Sequence, residues 1–120
     1  MYLLNAFSLN MLNKDANVLV RQVSLETARS LAKIATSVVG HADTAAVFSD
    51  VLGVPVDCNR VGVTLGHRDM ALVGQYTGLR LPEGATTLPE GATIKWFVVD
   101  VRCPLEEAEI DYDGYDGVDE

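Results

Sequence analysis

The chain lacks any apolar run long enough to cross a membrane. A spanning helix needs about 20 consecutive apolar residues, but the apolar start of the chain, residues 1–12, is interrupted by Asn5 and Asn10. This start also lacks the leading basic segment of a secretory signal. We therefore expect a cytoplasmic protein with no membrane partner. With 120 residues, 48% of them hydrophobic, it can bury the core of one domain.

Cysteine and histidine are scarce, with two residues of each type. Cys58 and Cys103 are not paired at the spacing of a zinc site, and neither histidine has a cysteine at such a spacing. We therefore predict no metal and no cofactor. The two cysteines are interpreted as reduced packing residues, and His67 is expected to be a solvated residue of a hairpin turn.

Positive charge is missing from the end of the chain. Eight of the 17 acidic residues lie in residues 104–120, which contain no Lys or Arg, so the nine acids of residues 1–103 balance the nine Lys and Arg. A long duplex is excluded as a partner, because duplex-binding proteins present a basic face. The sequence thus predicts a domain over residues 1–103, which could still bind a small anion, and an acidic disordered tail over residues 104–120.

Alternating strands and helices predict an α/β fold. The segments predicted as strands are residues 2–8, 17–23, 61–65, 70–76 and 95–102. The segments predicted as helices are residues 25–36, after the N-cap Ser24, and residues 42–52, before Gly53. The first two strands can pair as a hairpin, and the next two flank a turn at residues 66–69. We predict a single domain with a mixed, mostly five-stranded sheet and helices packed on it.

A six-residue unit occurs twice in the second half of the chain. Leu-Pro-Glu-Gly-Ala-Thr stands at residues 81–86 and again at residues 88–93. Proline fixes one backbone angle and glycine permits the left-handed conformation, so each copy predicts a tight turn within one long loop. Two copies of six residues do not make a solenoid.

His41 is the foremost candidate for chemistry. It follows Gly40, which allows a sharp turn after the extended residues 38–39, and precedes a helix that begins at Ala42. The free N–H groups of a helix start attract anions, and an imidazole beside an anion can move a proton near neutral pH. The alternative is that His41 only caps or packs against this helix.

Further polar residues interrupt apolar surroundings near predicted strand ends. In open α/β sheets, ligands gather at such ends, so these residues and His41 predict one anion site. The alternative is that the amides and the hydroxyl form turns and the arginines are solvated. The residues are Asn5, Ser8, Asn10, Arg60 and Arg80.

Four segments, in this order, resemble the viral and prophage family of type III anti-CRISPR ring nucleases, which also has host-encoded relatives. They are Leu-Leu-Asn-Ala-Phe-Ser at residues 3–8, Val-Gly-His-Ala-Asp-Thr-Ala at 39–45, Asn-Arg-Val at 59–61, and residues 75–84, which end in Arg-Leu-Pro-Glu-Gly. Each segment is short, but the resemblance as a whole extends over about residues 2–102. The acidic tail lies outside the resemblance.

The resemblance implies a homodimer that binds cyclic tetra-adenylate and cleaves it without a metal to linear di-adenylates with 2′,3′-cyclic phosphate ends, which switches off type III CRISPR signalling. It assigns His41 as the general acid, and Arg60 and Arg80 as phosphate contacts, with Arg80 counted among the catalytic residues. This chemistry suits RNA, because the ribose 2′-hydroxyl is the nucleophile and the protein supplies geometry, positive charge and a proton.

The resemblance also implies ligand-binding positions, namely Asn5, Ser8, Asn10, Gln75 and Glu83. The spacing between Gln75 and Arg80 differs by one residue from the family pattern, and the second Leu-Pro-Glu-Gly unit has no counterpart. Two alternatives from other classes remain: a module that sequesters a cyclic nucleotide without cutting it, and a viral accessory or structural protein.

Overall fold

The computed structural model describes residues 1–104 as five strands, two α-helices and one short 3-10 helix. The predicted tail, apart from Pro104, lies outside these residues. The strands are β1 (Tyr2–Leu4), β2 (Asn17–Val23), β3 (Thr36–Ser37), β4 (Met70–Thr77) and β5 (Thr93–Arg102). The helices are α1 (Leu25–Ala32), α2 (Ala42–Leu52) and the 3-10 helix (Leu9–Met11).

The five strands form one mixed sheet in the order β2-β5-β4-β1-β3. Strand β1 is parallel to both β3 and β4, whereas β5 is antiparallel to β2 and β4. The predicted α/β class, with a mixed five-stranded sheet and helices packed on it, is confirmed. Because β1, β3 and β4 run in one direction, the segments that follow them emerge at the same edge of the sheet.

Each face of the sheet has its own core. On one face, α1 and α2 pack against the sheet through Ala28, Phe48 and Leu52, which form one buried cluster with Leu72 and Trp96. The second face is covered by loops and the 3-10 helix, and its core residues are Leu4, Val38, Leu65, Ala71, Val73, Val99, Val101 and Cys103. Neither helix of residues 1–104 is long and apolar enough to span a bilayer.

The predicted hairpin of the first two strands is wrong. Strand β1 ends at Leu4 rather than at residue 8, and β2 pairs with β5 at the edge of the sheet. The intervening apolar residues, Phe7, Met11 and Leu12, pack across the second face instead of extending the strand. Their hydrophobicity therefore reflects burial against the sheet rather than strand pairing.

The predicted strand at residues 61–65 is also wrong, because this segment is irregular. Its apolar pattern has another cause: Leu65 is 1% exposed within the second core, and its N–H donates to the carbonyl of Met11 at 2.7 Å. Strand β4 finds its antiparallel partner in β5, so the hairpin loop is residues 78–92 rather than residues 66–69.

Helix α1 is shorter than predicted, ending at Ala32 instead of residue 36. The chain then forms β3, because the N–H of Thr36 donates to the carbonyl of Met1 at 2.9 Å and that of Val38 to Leu3 at 3.0 Å. The predicted extended piece at residues 38–39 thus lies just beyond β3. Its Val39 forms a parallel bridge with Cys58.

Both copies of the repeated unit form the predicted tight turns. The N–H of Ala85 donates to the carbonyl of Pro82 at 3.1 Å, and the second copy repeats this bond at the same distance. Gly84 and Gly91 have φ values of 80° and 84°, the left-handed region that favours glycine.

The predicted turn at residues 66–69 is present, with the N–H of Asp69 donating to the carbonyl of Gly66 at 3.0 Å, but His67 is not solvated as the sequence predicts. It is half-buried, and its Nδ1 atom accepts a hydrogen bond from the N–H of Cys103 at 2.9 Å. Cys103 is buried, in agreement with a packing role, whereas Cys58 is exposed. His67 therefore holds the end of β5 in place.

Asp100 lies at the amino end of β4, opposite Met70. The side chain of Arg102 donates to its carboxylate at 3.1 Å and is the main reason that the pKa of Asp100 lies below its ordinary value of 3.8. Arg21 and Arg68 lower this pKa further through their charges. Arg102 therefore has a carboxylate partner at this edge of the sheet.

Candidate functional site

A cleft of about 750 Å³ opens at the carboxyl edge of the parallel strands. Asn5 follows β1, His41 lies four residues after the end of β3 and directly before α2, and Gly78 follows β4. The polar side chains around the cleft provide one imidazole, one guanidinium, two carboxylates, one amide and two hydroxyls. Its lining residues are Asn5, His41, Asp43, Thr44, Tyr76, Gly78, Arg80, Leu81 and Glu83.

His41 is the N-cap residue of α2 by its backbone alone. Its φ and ψ are −119° and 128°, and its carbonyl accepts the first helical hydrogen bond, from the N–H of Ala45 at 2.9 Å. The imidazole is exposed and forms no capping hydrogen bond within the described chain. The side chain is therefore not used to cap the helix, and it lines the cleft instead.

Arg80 and Glu83 reach the cleft from the hairpin loop between β4 and β5. The hydroxyl of Tyr76, at the end of β4, donates to the carbonyl of Leu79 at 2.5 Å and ties the start of this loop. Arg80 follows directly, and Glu83 lies in the first of the two tight turns. The guanidinium and one of the two carboxylates therefore share a single loop.

Asp43 joins this loop to α2. It lies in the first helical turn, two residues after His41, and its Oδ1 atom accepts a hydrogen bond from the N–H of Gly84 at 3.1 Å. Helix and loop thus meet at the cleft through a direct polar contact.

Arg60 lies beside the cleft rather than in its lining. The segment that bears it runs along β3: the side-chain amide of Asn59 donates to the carbonyl of Ser37 at 3.0 Å, and its N–H donates to that of Val39 at 2.8 Å. The side chain of Arg60 is then packed against Gly40. Arg60 is therefore adjacent to His41 through the glycine that precedes it.

The structure brings together four of the eight predicted site residues in the cleft: Asn5, His41, Arg80 and Glu83. Ser8 caps the 3-10 helix by accepting from the N–H of Asn10 at 3.2 Å, as a turn-forming residue does. Gln75 alternates with Tyr76 along β4 and so lies on the opposite face of the sheet. The four predicted site residues that do not line the cleft are thus Ser8, Asn10, Arg60 and Gln75.

Sequence reasoning missed Asp43, Thr44 and Tyr76. Asp43 and Thr44 lie in the first turn of α2. An acid at such a position is typical of a helix start, so Asp43 gave no sign of a further role. Side chains alternate along a strand, so Tyr76 lies on the same face of β4 as Gly74, which is the face that packs against α2. Once that face is known, the alternation places Tyr76 beside the start of α2.

Within residues 1–104, no group of three or more His, Cys, Asp or Glu side chains is arranged to hold a metal ion. The cleft groups can act on an anionic substrate in other ways. A guanidinium can hold a phosphate by forked hydrogen bonds, an imidazole can donate a proton, and a carboxylate can accept one.

Two comparisons with known proteins agree on one family. The model of the STIV B116-like family matches residues 1–95. Among solved structures, B116 of Sulfolobus turreted icosahedral virus (STIV) superposes with a TM-score of 0.69 and 25% sequence identity, covering 82% of this chain and 96% of the viral chain. No curated protein matches the sequence.

Proposed function

The chain belongs to the STIV B116-like family, and from this premise we propose that it is a metal-independent ring nuclease for cyclic tetra-adenylate. It acts in the cytoplasm of a host cell as a viral anti-CRISPR protein. The products are linear di-adenylates with 2′,3′-cyclic phosphate ends, so the reaction switches off type III CRISPR signalling.

The observation that carries the proposal is the meeting of His41 and Arg80 in one cleft. They come from segments that lie far apart in the chain, and each segment belongs to the pattern that resembles the ring nucleases. A proton donor and a phosphate-binding guanidinium are two of the groups by which a protein can promote metal-free cleavage of RNA.

In the proposed step, a ribose 2′-oxygen of the ligand attacks the adjacent phosphorus and forms the 2′,3′-cyclic phosphate. The bond from phosphorus to the 5′-oxygen breaks, and His41 donates a proton to this leaving oxygen. Arg80 holds the non-bridging oxygens as charge accumulates on them. The products are a cyclic phosphate and a free 5′-hydroxyl.

The proton of the 2′-hydroxyl needs an acceptor. Two carboxylates line the cleft, and Oδ1 of Asp43 already accepts a hydrogen bond from Gly84. Glu83 is exposed and shares the loop of Arg80. We therefore assign the acceptor role to Glu83.

A homodimer is part of the proposal. A cleft of about 750 Å³ has the size of a site for a drug-sized ligand, roughly 300–1,000 Å³, and a cyclic tetranucleotide is larger than such a ligand. The ring has near two-fold symmetry, so two clefts across a two-fold axis would present His41 to opposite phosphates. Asn5 in the cleft is proposed to bind the rest of the ring, together with Ser8, Asn10 and Arg60 outside its lining. Gln75 is left out of this role, because it lies on the opposite face of the sheet.

The test is incubation of the protein with cyclic tetra-adenylate in the presence of a chelator, with the products separated by chromatography. Linear di-adenylates ending in a 2′,3′-cyclic phosphate support the proposal. Intact ligand that remains bound would instead favour the sequestering module. Failure to bind any cyclic oligoadenylate would leave the viral accessory or structural protein.

A further inference from the structure

The loop that bears Arg80 is tied down on both sides of this residue. Before it, the Tyr76 hydroxyl donates to the carbonyl of Leu79 at 2.5 Å. After it, the N–H of Gly84 donates to Oδ1 of Asp43 at 3.1 Å, across 41 residues of sequence. The first tie lies within the hairpin, whereas the second fixes the loop to a different element, α2.

The hydrogen bond between Gly84 and Asp43 links the segments that bear the two proposed catalytic residues, His41 and Arg80. Asp43 is two residues from His41 along the first turn of α2, and Gly84 is four residues from Arg80. Gly84 is held in the left-handed conformation by the turn that Ala85 closes onto Pro82. The hydrogen bond therefore joins two locally ordered segments, and its loss would free one to move against the other.

A carboxylate is an unfavourable choice for lining a cleft that binds phosphates, because it repels them. It is, however, a strong acceptor for a backbone N–H, since hydrogen bonds to ionised groups exceed neutral ones in strength. A carboxylate at position 43 is therefore favourable if its hydrogen bond to Gly84 stabilises the active arrangement by more than its repulsion weakens phosphate binding.

We propose that Asp43 is a positioning residue: by accepting the Gly84 N–H, it sets the distance between His41 on α2 and Arg80 on the loop. Its kinetic consequence rests on the ring-nuclease function proposed above. The prediction is that Asp43 acts on the cleavage step through geometry and contributes nothing favourable to ligand binding.

The experiment compares Asp43→Ala with Asp43→Asn, whose side-chain oxygen can still accept the bond. Asp50→Ala is the matched control, because Asp50 is an exposed acid on the same helix. Three quantities are measured: the solvent exchange rate of the Gly84 amide by NMR, the Kd for the 2′-deoxy cyclic tetra-adenylate, which lacks the nucleophile, and the single-turnover cleavage rate of cyclic tetra-adenylate.

For Asp43→Ala we expect Gly84 exchange to rise about fivefold and cleavage to slow by about 10- to 100-fold, with the Kd not increased. Asp43→Asn should return exchange and cleavage close to the values of the unmodified protein and lower the Kd by about two- to fivefold, because a negative charge is removed. Asp50→Ala should change none of the three.

Equal slowing of cleavage by Asp43→Ala and Asp43→Asn would overturn the proposal, since charge rather than the hydrogen bond would then matter. Unchanged Gly84 exchange in Asp43→Ala would overturn it as well. If the unmodified protein leaves the ring intact, the ring-nuclease function fails and the kinetic role of Asp43 fails with it. The exchange rate of the Gly84 amide tests whether the hydrogen bond to Asp43 exists, whether or not the protein cleaves the ring.

Discussion

Gly40 lies against the side chain of Arg60 so closely that a Cβ atom on Gly40 would be 3.1 Å from Cγ of Arg60 and 3.5 Å from its Cα. Gly40 does not adopt the left-handed conformation. The glycine before His41 therefore favours close approach between two segments and does not form a left-handed turn. It allows Arg60 to pack next to the cleft.

Gly40→Ala should push Arg60 away from the cleft. The added methyl group requires a shift of a few tenths of an ångström, and we expect a loss of about 1 kcal/mol in the free energy of unfolding together with weaker binding of cyclic tetra-adenylate. Denaturant unfolding and a binding titration measure the two effects. Gly62→Ala is the control, because no atom of residues 1–104 beyond Gly62 and its two chain neighbours lies within 4 Å of that Cβ position. Equal results for the two variants would contradict this account.

Much of the fold could be predicted from local patterns. The N-cap Ser24 and the left-handed Gly53 mark helix ends, and both repeated turns follow from their Pro and Gly residues. Strand pairing could not be predicted, because apolar residues at 5–16 and 61–65 are equally compatible with a strand and with a loop that covers a sheet. In the complete sheet, β4 is paired on both sides by β1 and β5, and β5 by β2 and β4. These two strands therefore leave no free edge for residues 5–16 or 61–65.

The site was predictable where a residue type is chemically unusual for its position. His41 and Arg80 interrupt apolar surroundings and lie in the cleft. Asp43 could not be distinguished, because an acid in a first helical turn is ordinary and its partner Gly84 is 41 residues away. The ligand role of Ser8 stays a prediction, and its local capping bond to Asn10 is the commoner role of a serine.

Gly74→Ala tests the packing between the sheet and α2. A Cβ atom at this position would be 2.5 Å from Cζ3 of Trp96 and 2.7 Å from Cζ of Phe48, whose rings meet edge to face at 5.0 Å. Neither ring can move freely within the core, so we expect a loss of about 1–3 kcal/mol or more in the free energy of unfolding. Gly66→Ala, with its nearest atom at 3.7 Å, should be nearly neutral in the same denaturation experiment.

His41→Ala should retain ligand binding and lose most cleavage. Removal of a general acid lowers rates by about 10²- to 10⁴-fold, whereas the imidazole forms no hydrogen bond that caps α2 within the described chain. Single-turnover cleavage and unfolding are measured on the same preparation. His67→Ala is the control and should show the reverse: lower stability, because the Cys103 N–H loses its acceptor, with unchanged cleavage. Cleavage at the original rate by His41→Ala would refute the proton-donor role.

Arg80→Ala should weaken both binding and cleavage, because the guanidinium is proposed to contact phosphate in the bound ring and in the transition state. We expect Arg80→Lys to recover part of the binding but less of the rate, since an ammonium cannot form the forked hydrogen bonds of a guanidinium. Arg21→Ala, at an exposed position on edge strand β2, controls for the loss of one positive charge. If Arg80→Lys cleaves as fast as the unmodified protein, only charge is needed at this position.

The duplicated turn supplies an internal control for Glu83. Glu90 occupies the same position in the second copy, whose turn has the same hydrogen bond and a glycine in the same conformation, but Glu83 alone of the two lines the cleft. Glu83→Gln should slow cleavage by about 10²-fold or more if this carboxylate accepts the 2′-hydroxyl proton, and binding should be unchanged or tighter because a negative charge is lost. Glu90→Gln should leave rate and affinity unaltered. Equal rates for the two variants, measured in single turnover across a range of pH, would remove Glu83 from the reaction and leave Asp43 as the remaining carboxylate of the cleft.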